Sequence, residues 1–379
     1  MSLATESSVK ERYAAASQAV EPQLCCPVEY DPQFLKAIPA EVIERDYGCG
    51  DPSKYLNPGE TVLDLGSGTG KICFIASQVV GPTGKVIGVD MTDDMLDVAR
   101  RNAPIVAETI GHGNVEFRKG RIQDLSLDLE LLNEKLAESP VKNIEDYLAV
   151  ESIAKKLRQE LPMIPDESVD VVVSNCVLNL VETEQKKALF EEIFRVLKVG
   201  GRAVISDIVS DEEIPQHLAD DADLWSGCIS GSYTEIGFME AFENVGFYGV
   251  EFVKFEKEPW QTHEGIEFRS VTVQAFKGKE GPCLDHNQAV VYTGPFKSVL
   301  DDDGHQLDRG VRTAVCAKTY SIYSKAPYAE FFQFIDPLTE ISEADAKPFD
   351  CRQDLVRTAA ETKGTEYRAT ITECGPDCC

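Results

Sequence analysis

The sequence predicts an α/β protein: a doubly wound, mainly parallel sheet with an N-terminal extension (1–57) and a smaller C-terminal α+β domain (281–379). Three observations support this. Between residues 58 and 280, apolar strand-like runs alternate with amphipathic helical runs, which is typical of a parallel sheet covered by helices. Beyond residue 281 the runs become short and β-like, as in QAVVYTG. The chain of 379 residues is also too long for one small core.

The elements of the central region follow one another in a regular order. The five predicted strands are TVLDLG, KVIGVD, NVEFRKG, SVDVVVSNC and RAVISDIV. The predicted helices between them include GKICFIASQVV, TDDMLDVARRNA and EQKKALFEEIFRVLK. The second of these begins at a Thr92 or Asp93 cap, and the third ends at Gly200-Gly201. Residues 126–166 are too long for a simple connection, so we interpret them as an inserted helical excursion.

Composition narrows the possible partners and the compartment. The formal net charge of −28 argues against nucleic-acid and anionic-membrane partners, because binding phosphates needs an excess of Lys and Arg. No run approaches the roughly 18 apolar residues of a membrane span, and the first residues lack the apolar stretch of a signal peptide. We therefore expect a cytoplasmic monomer whose twelve cysteines stay reduced.

A glycine-rich turn follows the first strand and precedes the first helix of the central region. In VLDLGSGTG the glycines allow a tight turn and a close approach to a ligand. The second strand ends in Asp90, at about the 20-residue spacing from which an acid accepts hydrogen bonds from ribose hydroxyls. The sequence DLGSGTG differs from the GxGxxG of dinucleotide sites. The predicted cofactor residues here are Asp64, Gly66, Ser67, Gly68, Gly70, Asp90 and Met91.

Three cysteines are expected at the mouth of the same site. Cys176 follows Asn175 at the end of the fourth strand, Cys228 lies in a Gly- and Ser-rich loop after the fifth, and Cys49 lies in the turn YGCGDP. Open α/β sheets bind their ligands beyond the carboxyl ends of the strands. Thiolates select soft acceptors, although cysteines are also common as small buried apolar residues. The pattern therefore predicts a thiophilic substrate, with plain core cysteines as the alternative.

The order of these motifs resembles a known family. LDLGSGTG and EIFRVLKVGGRAVISD resemble motifs of class I S-adenosylmethionine methyltransferases. Together with YGCG, GVDMTDDML, SNCVLNLV and LWSGC, they make the chain similar to the arsenite methyltransferases. The resemblance implies that Cys49, Cys176 and Cys228 bind trivalent arsenic and that Tyr47 and Asn175 adjoin the cofactor. It also implies an upstream redox-relay cysteine, matched loosely by Cys25 or Cys26.

The resemblance further implies S-adenosyl-L-methionine as methyl donor and a thiol reductant, glutathione or thioredoxin. The substrates would be arsenite and methylarsenite as thiol complexes, methylated in turn to dimethylarsenite for arsenic detoxification. Arg121 departs from the class I methyltransferase superfamily, many members of which carry an acid near the adenine, so the resemblance implies adenine contacts from the Ile122 backbone and the Gln123 side chain. Two other functions stay open. One is methylation of a small organic acceptor, with His217 or His263 as base; the other is metalloid binding without catalysis.

Overall fold

The structure is a computed structural model that describes residues 2–18, 21, 28–45, 47–351 and 356–363. The chain divides into two compact units, Met1–Lys277 and Gly278–Cys379. The sequence places the corresponding boundary three residues later, between 280 and 281. Cys25, Cys26 and the terminal CGPDCC lie outside the described residues.

The first unit is an α/β sheet flanked by helices. Its strands are β1 (Thr61–Leu65), β2 (Lys85–Asp90), β3 (Val115–Lys119), β4 (Val169–Asn175), β5 (Leu197–Ser210), β6 (Tyr233–Thr234), β7 (Tyr248–Phe255), β8 (Gln261–His263) and β9 (Ile266–Phe276). Its helices are α1 (Ser2–Ala16), α2 (Pro32–Leu35), α3 (Ala40–Glu44), α4 (Lys71–Val80), α5 (Asp93–Ile110), α6 (Leu129–Glu138), α7 (Ile144–Glu160), α8 (Thr183–Val196), α9 (Gln216–Ala219), α10 (Ala222–Ser226) and α11 (Glu235–Glu243). The segment interpreted as an insertion contains α6 and α7.

The strand order is β3-β2-β1-β4-β5-β9-β7, with β6 beside β5 and β8 beside β9. The pairs from β3 to β5 are parallel, whereas β9 is antiparallel to β5 and β7. This confirms the predicted doubly wound, mainly parallel sheet. The order reverses between β1 and β4, and such a switch point opens a crevice at the carboxyl ends of the strands.

Burial on both faces explains why the central strands read as continuous apolar runs. In β4 the side chains of Val169, Val171, Val172 and Val173 are all fully buried. Leu63, Val172 and Leu189 belong to one core cluster, and Val62, Val171 and Ile72 belong to another. β-Branched residues suit such a strand because they pack well on a pleated surface. The central strands are therefore packed on both faces up to the crevice.

The second unit is rich in short strands. Its strands are β10 (Leu284–Asp285), β11 (Ala289–Tyr292), β12 (Ser298–Leu300), β13 (Gln306–Asp308), β14 (Arg312–Ala314), β15 (Phe332–Ile335) and β16 (Lys347–Pro348). Its helices are α12 (Ala317–Tyr323) and α13 (Ala359–Lys363). Strand β11 pairs with β14 and β15, β10 pairs with β16, and β12 pairs with β13. Across both units, no described helix has the length and apolar character needed to span a membrane.

Candidate active site

The glycine turn lines a cavity at the carboxyl ends of β1 and β4. Gly66, Gly68 and Gly70 all have left-handed backbones, with φ of 67°, 51° and 91°. A Cβ on Gly66 would lie 2.4 Å from the side chain of Val177, so only glycine fits there. A Cβ on Gly68 would meet nothing within 4 Å. The loop is therefore tight against the protein on one side and open at Gly68.

Asp90 fixes this loop from the end of β2. One carboxylate oxygen accepts the N–H of Gly68 at 2.9 Å, and the other accepts the N–H of Thr92 at 2.8 Å. Burial raises the pKa of Asp90 above its usual range, partly offset by these backbone donors. Asp64, on β1, is also buried and accepts the Cys73 thiol at 3.1 Å. Asp90 thus holds the loop to the end of β2, whereas Asp64 ties β1 to α4.

The hydroxyl of Ser67 marks the loop as a binding surface. It is buried and has no hydrogen-bond partner within the protein. A buried polar atom of this kind is rare and usually meets a ligand or a water molecule. With the open space at Gly68 and the carboxylate of Asp90, the loop fits the aminoacyl and ribose parts of S-adenosylmethionine.

The predicted adenine side lies along the same cavity. Met91, Ile122 and Gln123 all line it. The amide of Gln123 donates to the side chain of Gln185 at 2.8 Å. Arg121, which departs from the family pattern, instead donates to Glu6 of α1 at 2.7 Å. Its charge is therefore engaged with the N-terminal helix.

The three predicted thiols come together from distant parts of the chain. Cys49, Cys176 and Cys228 are buried and share one cluster with Ile208 and Phe268. Burial raises the pKa of Cys49. The neighbouring thiols of Cys228 and Cys49, together with burial, raise the pKa of Cys176 well above its usual value. Cys176 therefore lies between the other two, and it also lines the cofactor cavity.

Two of these cysteines have strained backbones. Cys176 has φ of 66° and Cys228 has φ of 63°, in the left-handed region that costs a residue with a Cβ about 1–2 kcal/mol. The Cys176 N–H donates to Ser206 O at 2.8 Å, and the Cys228 thiol donates to Cys176 O at 3.2 Å. Strained residues of this kind cluster at functional sites.

The third thiol is placed by the glycines on either side of it. A Cβ on Gly48 would lie 2.0 Å from the Asn175 amide, and a Cβ on Gly50 would lie 2.4 Å from the Ser206 hydroxyl. Asn175 accepts the N–H groups of Cys49 and Gly50 at 2.9 and 3.0 Å, and its own amide donates to Gly50 O at 2.8 Å. Asn175 also lines the cavity, but its polar atoms hold the Cys49 turn.

Asp207, in the middle of β5, is a site residue that the sequence reasoning missed. One of its oxygens and the sulfurs of Cys49 and Cys176 all lie within 4.8 Å of one another. It accepts the Leu178 N–H and the Asn179 amide at 2.9 and 2.8 Å, which fixes the turn after Cys176. Burial raises its pKa to about 6. An acid inside the apolar run RAVISDIV was the available signal.

A buried lysine accompanies this acid. The ammonium of Lys186, on α8, donates to Gly231 O and lies 4.3 Å from the centre of the Tyr233 ring. Burial lowers its pKa to about 8, while the nearby Asp207 acts in the opposite direction. Nothing in the sequence reasoning singled out this residue, because a lysine on an amphipathic helix ordinarily faces solvent.

Helix α1 contributes a third missed residue. The Tyr13 hydroxyl lies 3.9 Å from the Cys228 sulfur, and its ring packs edge-on against Tyr47. Tyr47 is buried, lines the cavity and donates to Ala16 O at 3.0 Å. Arg12 donates to Asp223 O and to the Ser226 hydroxyl, each at 2.9 Å, on the segment before Cys228. The N-terminal helix therefore covers both the cofactor and thiol sides.

Neither histidine weighed as a base lies at the cavity. His217 is exposed and pairs with Glu264 at 2.9 Å, and His263 contacts Gln261. Neither belongs to the described lining of the cavity. The redox-relay residues, Cys25 and Cys26, lie outside the described part of the chain.

The fold and this cavity define a class I methyltransferase. The profile of a methyltransferase domain family matches residues 56–157 and 148–246, and that of a domain of unknown function matches 279–367. An arsenite methyltransferase of Aquipseudomonas alcaligenes is 32% identical over 84% of this chain and 86% of its own length. That of Homo sapiens is 30% identical over 81% of this chain and 75% of its own length.

A solved structure supports the same relationship. It is CrArsM of Chlamydomonas reinhardtii, described as an arsenic(III) S-adenosylmethionine methyltransferase. The TM-score is 0.55 and the identity is 28%, over 85% of this chain and 100% of that one. The chain belongs to the arsenite methyltransferase family, as the motifs predicted.

Proposed function

We propose that the protein methylates trivalent arsenic with S-adenosylmethionine, and that Cys49, Cys176 and Cys228 hold the arsenic. The observation that carries this proposal is that the central thiol, Cys176, lines the same cavity as the glycine loop. This arrangement supports a site for a soft acceptor directly beside the site that fits the cofactor. The successive substrates are arsenite and methylarsenite, delivered as thiol complexes, and the product is dimethylarsenite.

The protonation state of the thiols suits arsenic that arrives as a thiol complex. The raised pKa values of Cys49 and Cys176 keep both sulfurs protonated before the substrate binds. Each protein thiol that displaces a carrier thiolate from the arsenic forms a new As–S bond as the old one breaks, and its proton leaves with that thiolate as a free thiol. The protein therefore does not have to bury a free thiolate. Burying such a charge in an apolar cluster would be costly.

The remaining work of the site is alignment and exclusion of water. When bound, S-adenosylmethionine supplies a methyl carbon already activated by the adjacent sulfonium, and arsenic attacks with a lone pair. Because that lone pair carries no proton, the protein needs no general base. Orientation alone can contribute roughly 7–11 kcal/mol. Tyr13 and Tyr47 cover the site against water.

Methylation leaves the arsenic oxidised, so repeated turnover needs two electrons from a thiol reductant. We assign this part to glutathione or thioredoxin, with Cys25 or Cys26 as the relay residue. The deciding experiment incubates the protein with arsenite, glutathione and S-adenosylmethionine, and separates the arsenic species by chromatography. Mono- and dimethylated arsenic is expected from the wild type and none from Cys176→Ser. Calorimetric binding of both ligands without any methylated product would favour a metalloid-binding protein and refute the proposal.

A further inference from the structure

The second unit contains another cluster of three thiols. The sulfurs of Cys283, Cys316 and Cys351 all lie within 4.8 Å of one another. Cys316 is fully buried, the other two are partly buried, and all three are free rather than disulfide-bonded. The residues come from three separate places in the chain: the start of β10, the start of α12 and the segment after β16. Their meeting is therefore a product of the tertiary fold.

The framework around these sulfurs is held by hydrogen bonds. The Phe349 N–H donates to Cys283 O at 2.9 Å, which joins the segments carrying Cys283 and Cys351. The Gln288 amide donates to Val315 O at 2.9 Å, which ties the residue before Cys316 to the start of β11.

A buried arginine completes this framework. Arg357 pairs with both carboxylate oxygens of Asp285, two residues after Cys283, at 2.9 and 2.8 Å. The same guanidinium donates to Gln288 O at 3.1 Å. The three sulfurs are thus positioned by the fold before any ligand arrives.

The donor set selects the ligand. Three sulfurs favour a soft ion and disfavour magnesium or calcium, which take oxygen ligands. Structural zinc is almost always held by four ligands, and among the residues that the structure describes no His, Asp or Glu joins the three sulfurs. Trivalent arsenic forms three bonds and keeps a lone pair, so three thiols satisfy it completely.

We propose that Cys283, Cys316 and Cys351 form a second site for trivalent arsenic, separate from the methylation cavity. This inference rests on the proposed function, because that function is what brings arsenic to the protein. Binding exchanges three As–O bonds of arsenite for three As–S bonds, and the three thiol protons leave with the hydroxides as water. No oxidant or reductant is involved.

The test counts arsenic on the full-length, reduced protein. Cys25, Cys26, Cys374, Cys378 and Cys379 are first changed to Ser, so that they contribute no thiols. Arsenite is then added, the protein is separated from free arsenic, and bound arsenic is measured by mass spectrometry. This background is expected to bind two arsenic atoms per chain. Adding Cys176→Ser with Cys228→Ser should leave one, and adding Cys351→Ser instead should also leave one.

Two further measurements guard against unfolding and a different ion. Cys351→Ser keeps two thiols, so its second site should still bind methylarsenite, which needs only two; Cys73→Ala, outside both clusters, should leave the arsenite count at two. A background protein that binds only one arsenic, lost with Cys176→Ser and Cys228→Ser, would overturn the second site while leaving the methylation proposal intact. A tightly held zinc ion that arsenite cannot displace would also overturn it. Arsenic retained only in the second unit would instead count against the methylation proposal.

Discussion

The cofactor side and the thiol side of the cavity are built in different ways. The cofactor side is a contiguous turn, Gly66–Gly70, fixed by Asp90 from the neighbouring strand. The thiol side is assembled from α1, the Cys49 turn, the end of β4, the middle of β5 and the loop after α10. It also carries a buried acid, a buried lysine and two strained cysteines. A local loop can offer a ready shape, whereas a soft-ion site needs long-range packing to hold sulfurs together.

Removing the central thiol should have the largest effect. Cys176→Ser leaves Cys49 and Cys228 without the sulfur between them, so we expect turnover of arsenite and methylarsenite to fall by at least about a hundredfold, the scale of a 1 Å misplacement. Cys49→Ser should lose arsenite methylation but keep measurable turnover of methylarsenite, which needs only two thiolates. Product speciation with each substrate tests this, with cofactor affinity and circular dichroism as controls. Equal losses on both substrates in Cys49→Ser would contradict the division.

The buried lysine on the thiol side should show itself in the pH dependence of stability. Its folded pKa of about 8 lies below the ordinary 10.5, so the unfolded chain binds a proton that the folded chain releases. The contribution of Lys186 to the free energy of unfolding should therefore rise between about pH 8 and pH 10.5, by about 3 kcal/mol at 1.36 kcal/mol per pKa unit. The buried thiols, whose pKa values are raised, contribute in the opposite direction, so the rise is read as the difference between wild type and variant.

Lys186→Met should remove that rise, which denaturant unfolding across this pH range would measure. Lys187→Met, its exposed neighbour on α8, should follow the wild type. An unchanged pH profile in Lys186→Met would mean that Lys186 keeps its ordinary pKa.

On the cofactor side, Asp90→Asn should weaken S-adenosylmethionine binding while sparing arsenite. An amide has one acceptor oxygen where the carboxylate accepts Gly68 and Thr92 with two. A charge-assisted hydrogen bond from a ribose hydroxyl is lost as well, which corresponds to about a 10- to 100-fold loss of affinity for the cofactor. Calorimetry with each ligand checks this, and the exposed Asp94→Asn serves as the matched control. An equal loss of affinity for both ligands would show that the cofactor side and the thiol side are coupled.

The same contrast explains what the sequence could predict. The cofactor loop was found because its requirements are local: glycines where φ is positive and an acid at a strand end. The cysteines were found through the family resemblance. Asp207, Lys186 and Tyr13 were missed because their roles depend on contacts between segments far apart in the chain. The sequence analysis expected Asn175 beside the cofactor. It did not predict that the Asn175 amide holds the Cys49 turn.

Backbone strain on the thiol side predicts an unusual stability order. At Cys228 the left-handed backbone costs about 1–2 kcal/mol for any residue with a Cβ, so Cys228→Gly should be more stable than Cys228→Ala by about 1 kcal/mol. Cys73 lies inside α4, and there the order should reverse, with Gly below Ala by about 1 kcal/mol. Urea unfolding of the four variants decides the matter. If Ala is the better residue at both positions, Cys228 is not strained.

The smallest effect is expected from removing residues that belong to neither side of the cavity. Truncation after Lys363 removes Cys374, Cys378 and Cys379, and we expect the saturated methylation rate and the stability of both units to be unchanged. Truncation after Asp350 also removes Arg357, whose guanidinium is buried against Asp285. Because a partly buried carboxylate then loses its partner, the second unit should unfold at lower denaturant concentration. If truncation after Lys363 slows methylation only at low arsenite concentration, the terminal cysteines capture arsenic. A lower saturated rate would mean that the chemistry depends on residues beyond the cavity described in the first unit.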